Sequence, residues 1–264
     1  MTLTIQQAID SVLSTVPGAP FPGTRDTVKL GDPSQPLRRI AVTFLASVEV
    51  IEQAIQLGAN LIITHEPTFY NDRDEVDFLD GNPVYAAKRR LIEESGLVIW
   101  RFHDTLHSMK PDPINVELIR ALGWADYVLP GHSSVCRLPA PMPLRELAQH
   151  VKTSLDASGL RVVGELDRPC QTVAVSPGSP GAKQQIMALA VPEMDVLVAG
   201  EIFEWETSEF ARDARSQAAG KGLIVTGHAA SEEPGMRWLA PWLEQRFPGV
   251  PATFIRTGSA FQTL

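Results

Sequence analysis

Short apolar runs alternate with longer amphipathic segments along the chain, and this alternation constrains the fold more than any other feature. The apolar runs predict strands at 38–44, 60–64, 97–102, 160–164, 171–176, 195–200, 222–227 and 251–256. The intervening segments predict helices at 47–59, 83–96, 114–123, 144–155, 182–190, 208–220 and 231–247. The last of these is expected to be interrupted by Pro234, and a further helix at the start of the chain is expected to end near Pro17 and Gly18. Because strands and helices in alternation form α/β folds, we expect parallel or mixed sheets.

Two segments are rich in proline, and the second is also rich in glycine. Residues 133–143, with the sequence SSVCRLPAPMP, have the composition of a linker. Residues 176–182, with the sequence SPGSPGA, are expected to form a turn between a strand and a helix. A loop whose backbone amides bind an anion is the less favoured interpretation of this second segment.

The composition argues against several classes of protein. The 264 residues carry a formal net charge of −8, which argues against binding to nucleic acid or to an anionic membrane. Cys136 and Cys170 lack the spacing of a disulfide framework or of a cysteine metal site. Residues 1–18 have no basic signal-peptide region, and no apolar run approaches the ~20 residues that span a bilayer. We therefore expect a cytoplasmic protein that acts on a small molecule.

Three of the predicted strands run directly into histidine. The polar residues that follow these strands are His65 and Glu66, then His103 and His107, and finally His228 and Glu232. In open α/β sheets, ligands bind at the carboxyl ends of the strands. The spacing of four residues also places His228 and Glu232 on one face of a helix.

Imidazole nitrogens and carboxylate oxygens are natural ligands of Zn, Mn, Fe, Co and Ni. The group offers four histidines and two carboxylates, enough for two ions with positions left for water. A single histidine at a strand end is more often a hydrogen-bonded structural group, and helix capping also explains Glu232 beside Ser231 and Glu233. The metal interpretation is favoured because three strands share the pattern, whereas His132 and His150 lack it and are interpreted as structural.

Other catalytic chemistries have weaker support in the sequence. There is no GxSxG motif, no P-loop and no GxGxxG motif after a strand. A Ser-His-Asp triad stays open as an alternative, although no serine stands out.

The three histidine motifs resemble those of the Nif-three-like family, whose members are often named GTP cyclohydrolase I type 2 homologues. In that family one strand runs into His-His-Pro, a later strand into His-Thr-Asn-Leu-Asp, and a late motif reads Gly-His-aromatic-Ala-Ser/Thr-Glu. The counterparts here are THEP at 64–67, FHDTLHS at 102–108 and GHAASE at 227–232. The stretch DVLVAGEIFEWETSEFARDA is similar to the family's strand, Gly-Asp/Glu and helix, and TRDTVKLGDP at 24–33 is faintly similar to its N-terminal Trp-Asp-Asn motif.

The resemblance implies a dinuclear metal centre. The ligands carried over by position are His65, Glu66, His103, His107, His228 and Glu232. Glu66 stands where the family has a second histidine, and His107 stands where it has an aspartate. The two exchanges are opposite in kind, so the total of four histidines and two carboxylates is kept. The segment at 24–33 lacks the Trp and Asn of the family, so substrate contacts there are not carried over.

The resemblance also implies a three-layer α/β fold with mixed sheets and two α/β domains. A metal-binding domain built from both chain ends would comprise residues 1–130 and 222–264, and an inserted domain would comprise residues 131–221. A toroidal homo-hexamer, with its metal sites facing an internal cavity, is implied as well.

The function expected from these features is that of a metal-dependent hydrolase. Two divalent ions (Zn, Mn, Fe, Co or Ni) would activate a bridging water for attack on a nucleotide or another small molecule, and the family name implies GTP ring opening. Glu201 is the expected accessory carboxylate, although a helix N-terminal charge explains it equally well, and Asp104 is a weaker candidate that orients His103 or His107. The alternatives are a non-catalytic metal-binding scaffold, chaperone or interaction protein, and an enzyme with a single zinc ion.

Overall fold

The computed structural model describes residues 3–216 and 220–262, and the chain forms two compact units. The first unit comprises residues 1–113 and 236–257, and the second comprises residues 114–235 and 258–264. The domain bounds expected from the sequence, residues 1–130 with 222–264 and residues 131–221, stay a prediction.

Each unit contains a mixed sheet with helices, which confirms the expected α/β class. The strands are β1 (Val28–Leu30), β2 (Ile40–Thr43), β3 (Leu61–Thr64), β4 (Val98–Arg101), β5 (Val135–Pro143), β6 (Arg161–Val163), β7 (Pro169–Ser176), β8 (Val196–Ala199), β9 (Gly222–Val225) and β10 (Ala252–Phe254). The α-helices are α1 (Ile5–Leu13), α2 (Val48–Gln56), α3 (Pro83–Ser95), α4 (Asp104–Ser108), α5 (Pro113–Ala121), α6 (Leu144–Ser154), α7 (Ala182–Leu189), α8 (Glu209–Ser216) and α9 (His228–Arg246). Short 3₁₀-helices cover Asp77–Leu79 and Ala125–Tyr127, and a π-helix covers Glu204–Ser208.

The sheet of the first unit has the strand order β1-β4-β3-β2-β10. Strands β10, β2, β3 and β4 are parallel, and β1 runs antiparallel to β4. Every residue of β2, β3 and β4 is buried, as expected for parallel strands whose two faces are both covered. This burial explains why the sequence shows continuous apolar runs there rather than alternation.

The helices of the first unit begin and end at residues suited to those positions. Thr4 and Gln7 form a capping box at the start of α1. The side chain of Asn82 accepts hydrogen bonds from the backbone N–H groups of Val84 and Tyr85 at the start of α3, and Gly96 ends that helix with a φ of 69°. Proline in the first turn and a glycine of positive φ at the end are the residues that helices favour at these positions.

The sheet of the second unit has the strand order β5-β7-β8-β9-β6. Strands β7, β8 and β9 are parallel, whereas β5 and β6 pair antiparallel with β7 and β9 at the two edges. The apolar face of α6, including Leu144, Leu147 and Val151, packs into a buried cluster with β7 and β8. Cys136 and Cys170 are free and buried in this cluster, and burial raises the pKa of each thiol to about 11.

Two predictions about local structure are wrong. The proline-rich segment at 133–143 is largely strand β5 rather than a linker, and its prolines are tolerated because β5 lies at a sheet edge. Helix α9 is not interrupted at Pro234, because a proline in the second turn removes one N–H donor while the rest of the helix stays bonded. The predicted helix at 208–220 is observed as α8, and its residues 217–219 lie outside the described residues.

Among the described residues, no helix combines the length and the apolar character needed to cross a membrane.

Lys88 is a buried lysine on α3, and we expect it to make stability depend on pH. Its side chain is 3% exposed, and Nζ donates a hydrogen bond of 2.6 Å to the carbonyl of Thr68. Burial lowers the pKa of Lys88 from 10.5 to about 8, against the opposing charges of Asp74 and Glu49. Between these two pH values the unfolded chain binds more protons than the folded chain, so the free energy of unfolding rises with pH.

The change over this window is expected to be roughly 3 kcal/mol, the free-energy equivalent of the pKa displacement. It is measured as the difference between the wild type and Lys88→Met in denaturant unfolding at pH 7.5 and above pH 10. Lys183→Met, at an exposed lysine of α7, is the matched control and should show no comparable difference. Parallel pH curves for the wild type and Lys88→Met would contradict the expectation.

Candidate metal site

Parallel pairing of β3 with β4 brings two histidines side by side. Thr64 lies opposite Arg101 in the register, so His65 and His103 follow from neighbouring strand ends. Their rings stack with centroids 4.6 Å apart and an interplanar angle of 23°. His65 is completely buried, and His103 is partly exposed.

His107 joins this pair because the chain turns into helix α4 directly after β4. The backbone N–H of His107 donates a hydrogen bond of 3.1 Å to the carbonyl of His103, so the two residues lie one helical turn apart on the same face. The His107 ring is 4.9 Å from the His103 ring and 5.0 Å from the His65 ring, measured between centroids. One ligand nitrogen from each histidine lies within 4.8 Å of the others.

The Nδ1 atoms of these three imidazoles lie against oxygen acceptors. The distances are 3.1 Å from His65 to the Phe102 carbonyl, 2.9 Å from His103 to Asp104 Oδ1 and 3.0 Å from His107 to Asp112 Oδ2. Because a carbonyl or an ionised carboxylate only accepts, Nδ1 carries the proton in each neutral ring and the lone pair lies on Nε2. Proteins orient histidine ligands of metals in this way, so the donor set fits a divalent metal.

Glu66 adds a carboxylate to the histidine group. Its Oε1 atom lies 3.6 Å from His103 Nε2, and its Oε2 atom accepts a hydrogen bond of 3.1 Å from Arg101 Nη2. The side chain is mostly buried, as is appropriate for a carboxylate beside a buried guanidinium. The first unit therefore brings together the four ligands that the sequence predicts within it: His65, Glu66, His103 and His107.

Asp104, predicted to orient a neighbouring histidine, contacts His103. Its Oδ1 atom faces His103 Nδ1, while Oδ2 accepts hydrogen bonds from Thr24 Oγ1 at 3.0 Å and from the Arg25 N–H at 2.8 Å. Burial alone would raise the pKa of the Asp104 carboxyl, but these hydrogen bonds outweigh it and hold the pKa below its usual range. The carboxylate is therefore ionised at neutral pH and accepts from the imidazole.

Asp26 organises the start of helix α4, and no sequence motif marked it as a site residue. This side chain is 5% exposed, and it accepts hydrogen bonds from three consecutive backbone N–H groups. The donors are His103 at 2.6 Å, Asp104 at 2.9 Å and Thr105 at 2.8 Å. Asp26 thus caps the helix that connects His103 to His107.

The second unit holds the two remaining predicted ligands. His228 begins α9 just after β9, and its Nε2 atom lies 3.1 Å from Glu232 Oε2, one helical turn further on. Glu232 is 2% exposed. The same unit places Glu201 Oε1 at 3.5 Å from His228 Nδ1, so the predicted accessory carboxylate contacts a predicted ligand. Its hydrogen bond with His228 lowers the pKa of Glu201 against the effect of burial.

The loop that follows β7 packs directly against Glu232. Gly178 has a φ of 66°, and a Cβ atom at this position would lie 2.2 Å from Glu232 Oε1 and 3.3 Å from His228 Nε2. The backbone N–H of Gly178 donates to Ser231 Oγ at 3.0 Å, which fixes the loop to α9. The SPGSPGA segment therefore forms a bend between β7 and α7, and Gly178 gives Glu232 the space it occupies.

His150 lies outside both groups. Its Nε2 atom is 2.8 Å from the Leu122 carbonyl, and its ring stacks on Trp124 with centroids 5.7 Å apart. These contacts agree with the structural role expected from the sequence. His132, also expected to be structural, is exposed, and its backbone N–H donates to the Leu129 carbonyl at 3.0 Å.

The chain is an α/β protein with mixed sheets, and it carries a candidate metal site of histidine and glutamate donors. The sequence profile of Duf34/NIF3 (NGG1p interacting factor 3) matches residues 27–259. The chain belongs to the Duf34/NIF3 family, which confirms the resemblance inferred from the three histidine motifs.

Named relatives and solved structures agree with this assignment. A GTP cyclohydrolase 1 type 2 homolog of Chlamydia pneumoniae is 25% identical over 245 residues, which cover 89% of this chain and 90% of that protein. A homolog of the same name from Allochromatium vinosum is 28% identical over 217 residues, which cover 81% of this chain and 80% of that protein. The crystal structure of a Bacillus cereus protein related to NIF3 matches with a TM-score of 0.75 at 19% identity, covering 100% of this chain and 98% of that one, and it supports the fold.

Proposed function

We propose that the chain is a metal-dependent hydrolase that acts on a nucleotide or another small molecule. The observation that carries this proposal is the group of His65, His103 and His107, whose Nδ1 atoms all face oxygen acceptors. The names of the relatives, GTP cyclohydrolase 1 type 2 homolog, support a nucleotide as substrate. The proposed target is a hydrolysable C–N, amide or phosphoester bond.

The first ion would be held by the Nε2 atoms of the three histidines and by Glu66 Oε1. When bound, a divalent ion supplies Lewis-acid polarisation and lowers the pKa of water. Asp104 keeps the proton on His103 Nδ1. This contact fixes the ring orientation that ligand binding through Nε2 requires.

For a second ion, we propose His228 and Glu232 as donors. The two residues lie one helical turn apart on α9, so both side chains can bind the same ion and both are held by a rigid helix. Glu201, about half exposed, is the proposed proton acceptor during hydrolysis, because its carboxylate is ionised and lies at the edge of this pair.

A toroidal homo-hexamer is proposed by resemblance, and light scattering of the purified protein would test it.

Elemental analysis of the purified protein tests the metal proposal, and two ions per chain are expected. Glu66→Ala and His107→Ala should each lose about one ion, because both residues are donors to the first ion. The affinity for that ion should fall by more than about 100-fold, since even outer partners of a ligand contribute about 10–100-fold. His132→Ala is the matched control, because this histidine is exposed and lies outside both donor groups. One ion per chain, unchanged by Glu66→Ala and His107→Ala, would instead indicate a single-metal site.

Turnover is tested after loading with Mn, Zn, Fe, Co or Ni. Nucleotides that include GTP, small amides and phosphoesters form the substrate panel. Full metal occupancy without turnover of any of them would contradict the hydrolase and favour a non-catalytic metal-binding scaffold, chaperone or interaction protein.

A further inference from the structure

Arg101 places a positive charge inside the first unit, at the carboxyl end of β4. Its side chain is 1% exposed, although a guanidinium stays protonated in proteins. A buried charge is costly unless hydrogen bonds and opposite charge compensate it. The partners of Arg101 therefore indicate what the residue does.

The side chain of Arg101 donates hydrogen bonds to the segment that follows β3. Nε donates a hydrogen bond of 2.9 Å to the His65 carbonyl, and Nη2 donates one of 3.1 Å to Glu66 Oε2. Nη1 donates to the carbonyl of Asp72, further along the same segment. One rigid guanidinium thus fixes the backbone at His65 and the carboxylate of Glu66 at once.

The pairing with Arg101 gives the two oxygens of Glu66 different roles. Oε2 faces the guanidinium, while Oε1 lies 3.6 Å from His103 Nε2 on the side of the histidine group. The planar geometry of the guanidinium makes this orientation specific, since a flexible ammonium would not fix it.

The pair also has a consequence for charge. Arg101 lies 3.1 Å from Glu66 Oε2 and 3.8 Å from Asp72 Oδ1, so its positive charge offsets part of the negative charge that Glu66 brings beside three imidazoles. Three neutral imidazoles with such a compensated carboxylate leave most of the charge of a bound divalent ion available to polarise a substrate.

We propose that Arg101 is a positioning residue of the metal site, which directs Glu66 Oε1 toward the ion and offsets the carboxylate charge. The inference rests on the metal binding proposed above. It extends that proposal by assigning a role to a residue outside the predicted ligands.

The test is a cycle of variants titrated with Co²⁺, whose visible absorption reports both affinity and coordination. Arg101→Met is compared in the wild-type background and in the Glu66→Gln background. We expect Arg101→Met to raise the Kd about 10–100-fold when Glu66 is present, as for other outer partners of metal ligands. In the Glu66→Gln background the same change should alter the Kd less than about threefold, because the ionised carboxylate that Arg101 positions is gone.

Arg25→Met is the matched control. Arg25 also pairs with Asp72, at 2.6 Å, but it is more exposed and its hydrogen bonds go to Asp72 rather than Glu66. The Kd for Co²⁺ should stay within about threefold of the wild type, as expected for an exposed ion pair of small energy.

Equal weakening by Arg101→Met in both backgrounds would overturn the inference, because Arg101 would then act only through the fold. If Arg101→Met does not fold, Arg101→Lys takes its place in the cycle. This variant keeps the charge and should show a smaller loss of affinity that again requires Glu66. A wild-type protein that binds no Co²⁺ would overturn the proposed metal function itself, whereas Co²⁺ binding without coupling between Arg101 and Glu66 would overturn the inference alone.

Discussion

Asp26→Ala is expected to lower the free energy of unfolding by about 2–4 kcal/mol, because three backbone N–H groups at a buried helix start lose their acceptor. The donors belong to His103, Asp104 and Thr105, so the same change should loosen the helix that carries His107. Metal affinity should fall about 10–100-fold, as it does when an outer partner of a ligand is lost. Urea unfolding of the metal-free protein and a metal titration measure the two effects separately.

Two further variants test whether these losses come from the buried cap. Asp26→Asn retains one acceptor oxygen and should lie between the wild type and Asp26→Ala in both measurements. Asp32→Ala is the matched control, because Asp32 is exposed and accepts a hydrogen bond of 2.9 Å from the Ser34 N–H. Equal losses for Asp26→Ala and Asp32→Ala would show that the buried cap has no special role.

Gly178→Ala is expected to reduce metal binding by His228 and Glu232 more than it lowers the stability of the protein. The new Cβ would stand 2.2 Å from Glu232 Oε1, so the carboxylate must move from its place beside His228. The positive φ adds a backbone cost of about 1–2 kcal/mol for alanine. Bound metal should therefore fall by up to one ion per chain, measured by elemental analysis alongside thermal unfolding.

Gly181→Ala separates backbone strain from the contact with Glu232. Gly181 lies in the same loop with a φ of 95°, and a Cβ atom there would meet nothing within 4 Å. Stability should decrease while metal content stays at the wild-type level. If Gly178→Ala retains all of its metal, the result contradicts the prediction, because Glu232 would then not need the space beside Gly178 to bind the ion.

The elements of the fold were predictable where local sequence determines them. Strand β3 was expected at 60–64 and is observed at Leu61–Thr64, because a buried parallel strand appears as a continuous apolar run. Strand β5 was missed because its prolines resemble a linker when the neighbouring strand is unknown. The short helix α4 was missed because its cap, Asp26, bonds the Thr105 N–H from 79 positions away in the chain.

The candidate site was predictable to a similar degree. His65, His103 and His107 stood out because an imidazole after an apolar strand is conspicuous, and the structure brings these three together. Arg101 lies within the apolar run LVIWRF, so the sequence pattern indicates a strand residue rather than a residue of the site. No sequence pattern indicates Asp112 as a site residue, because its contact with His107 depends on the path of the chain after α4.

The prolines of β5 have a consequence for how copies of this chain can associate. Strand β5 forms one edge of the second sheet, and Pro139, Pro141 and Pro143 have no backbone N–H to offer. A strand from another molecule that approached this edge would find too few donors to build a ladder. Association of copies of this chain is therefore not expected to extend the second sheet across its β5 edge.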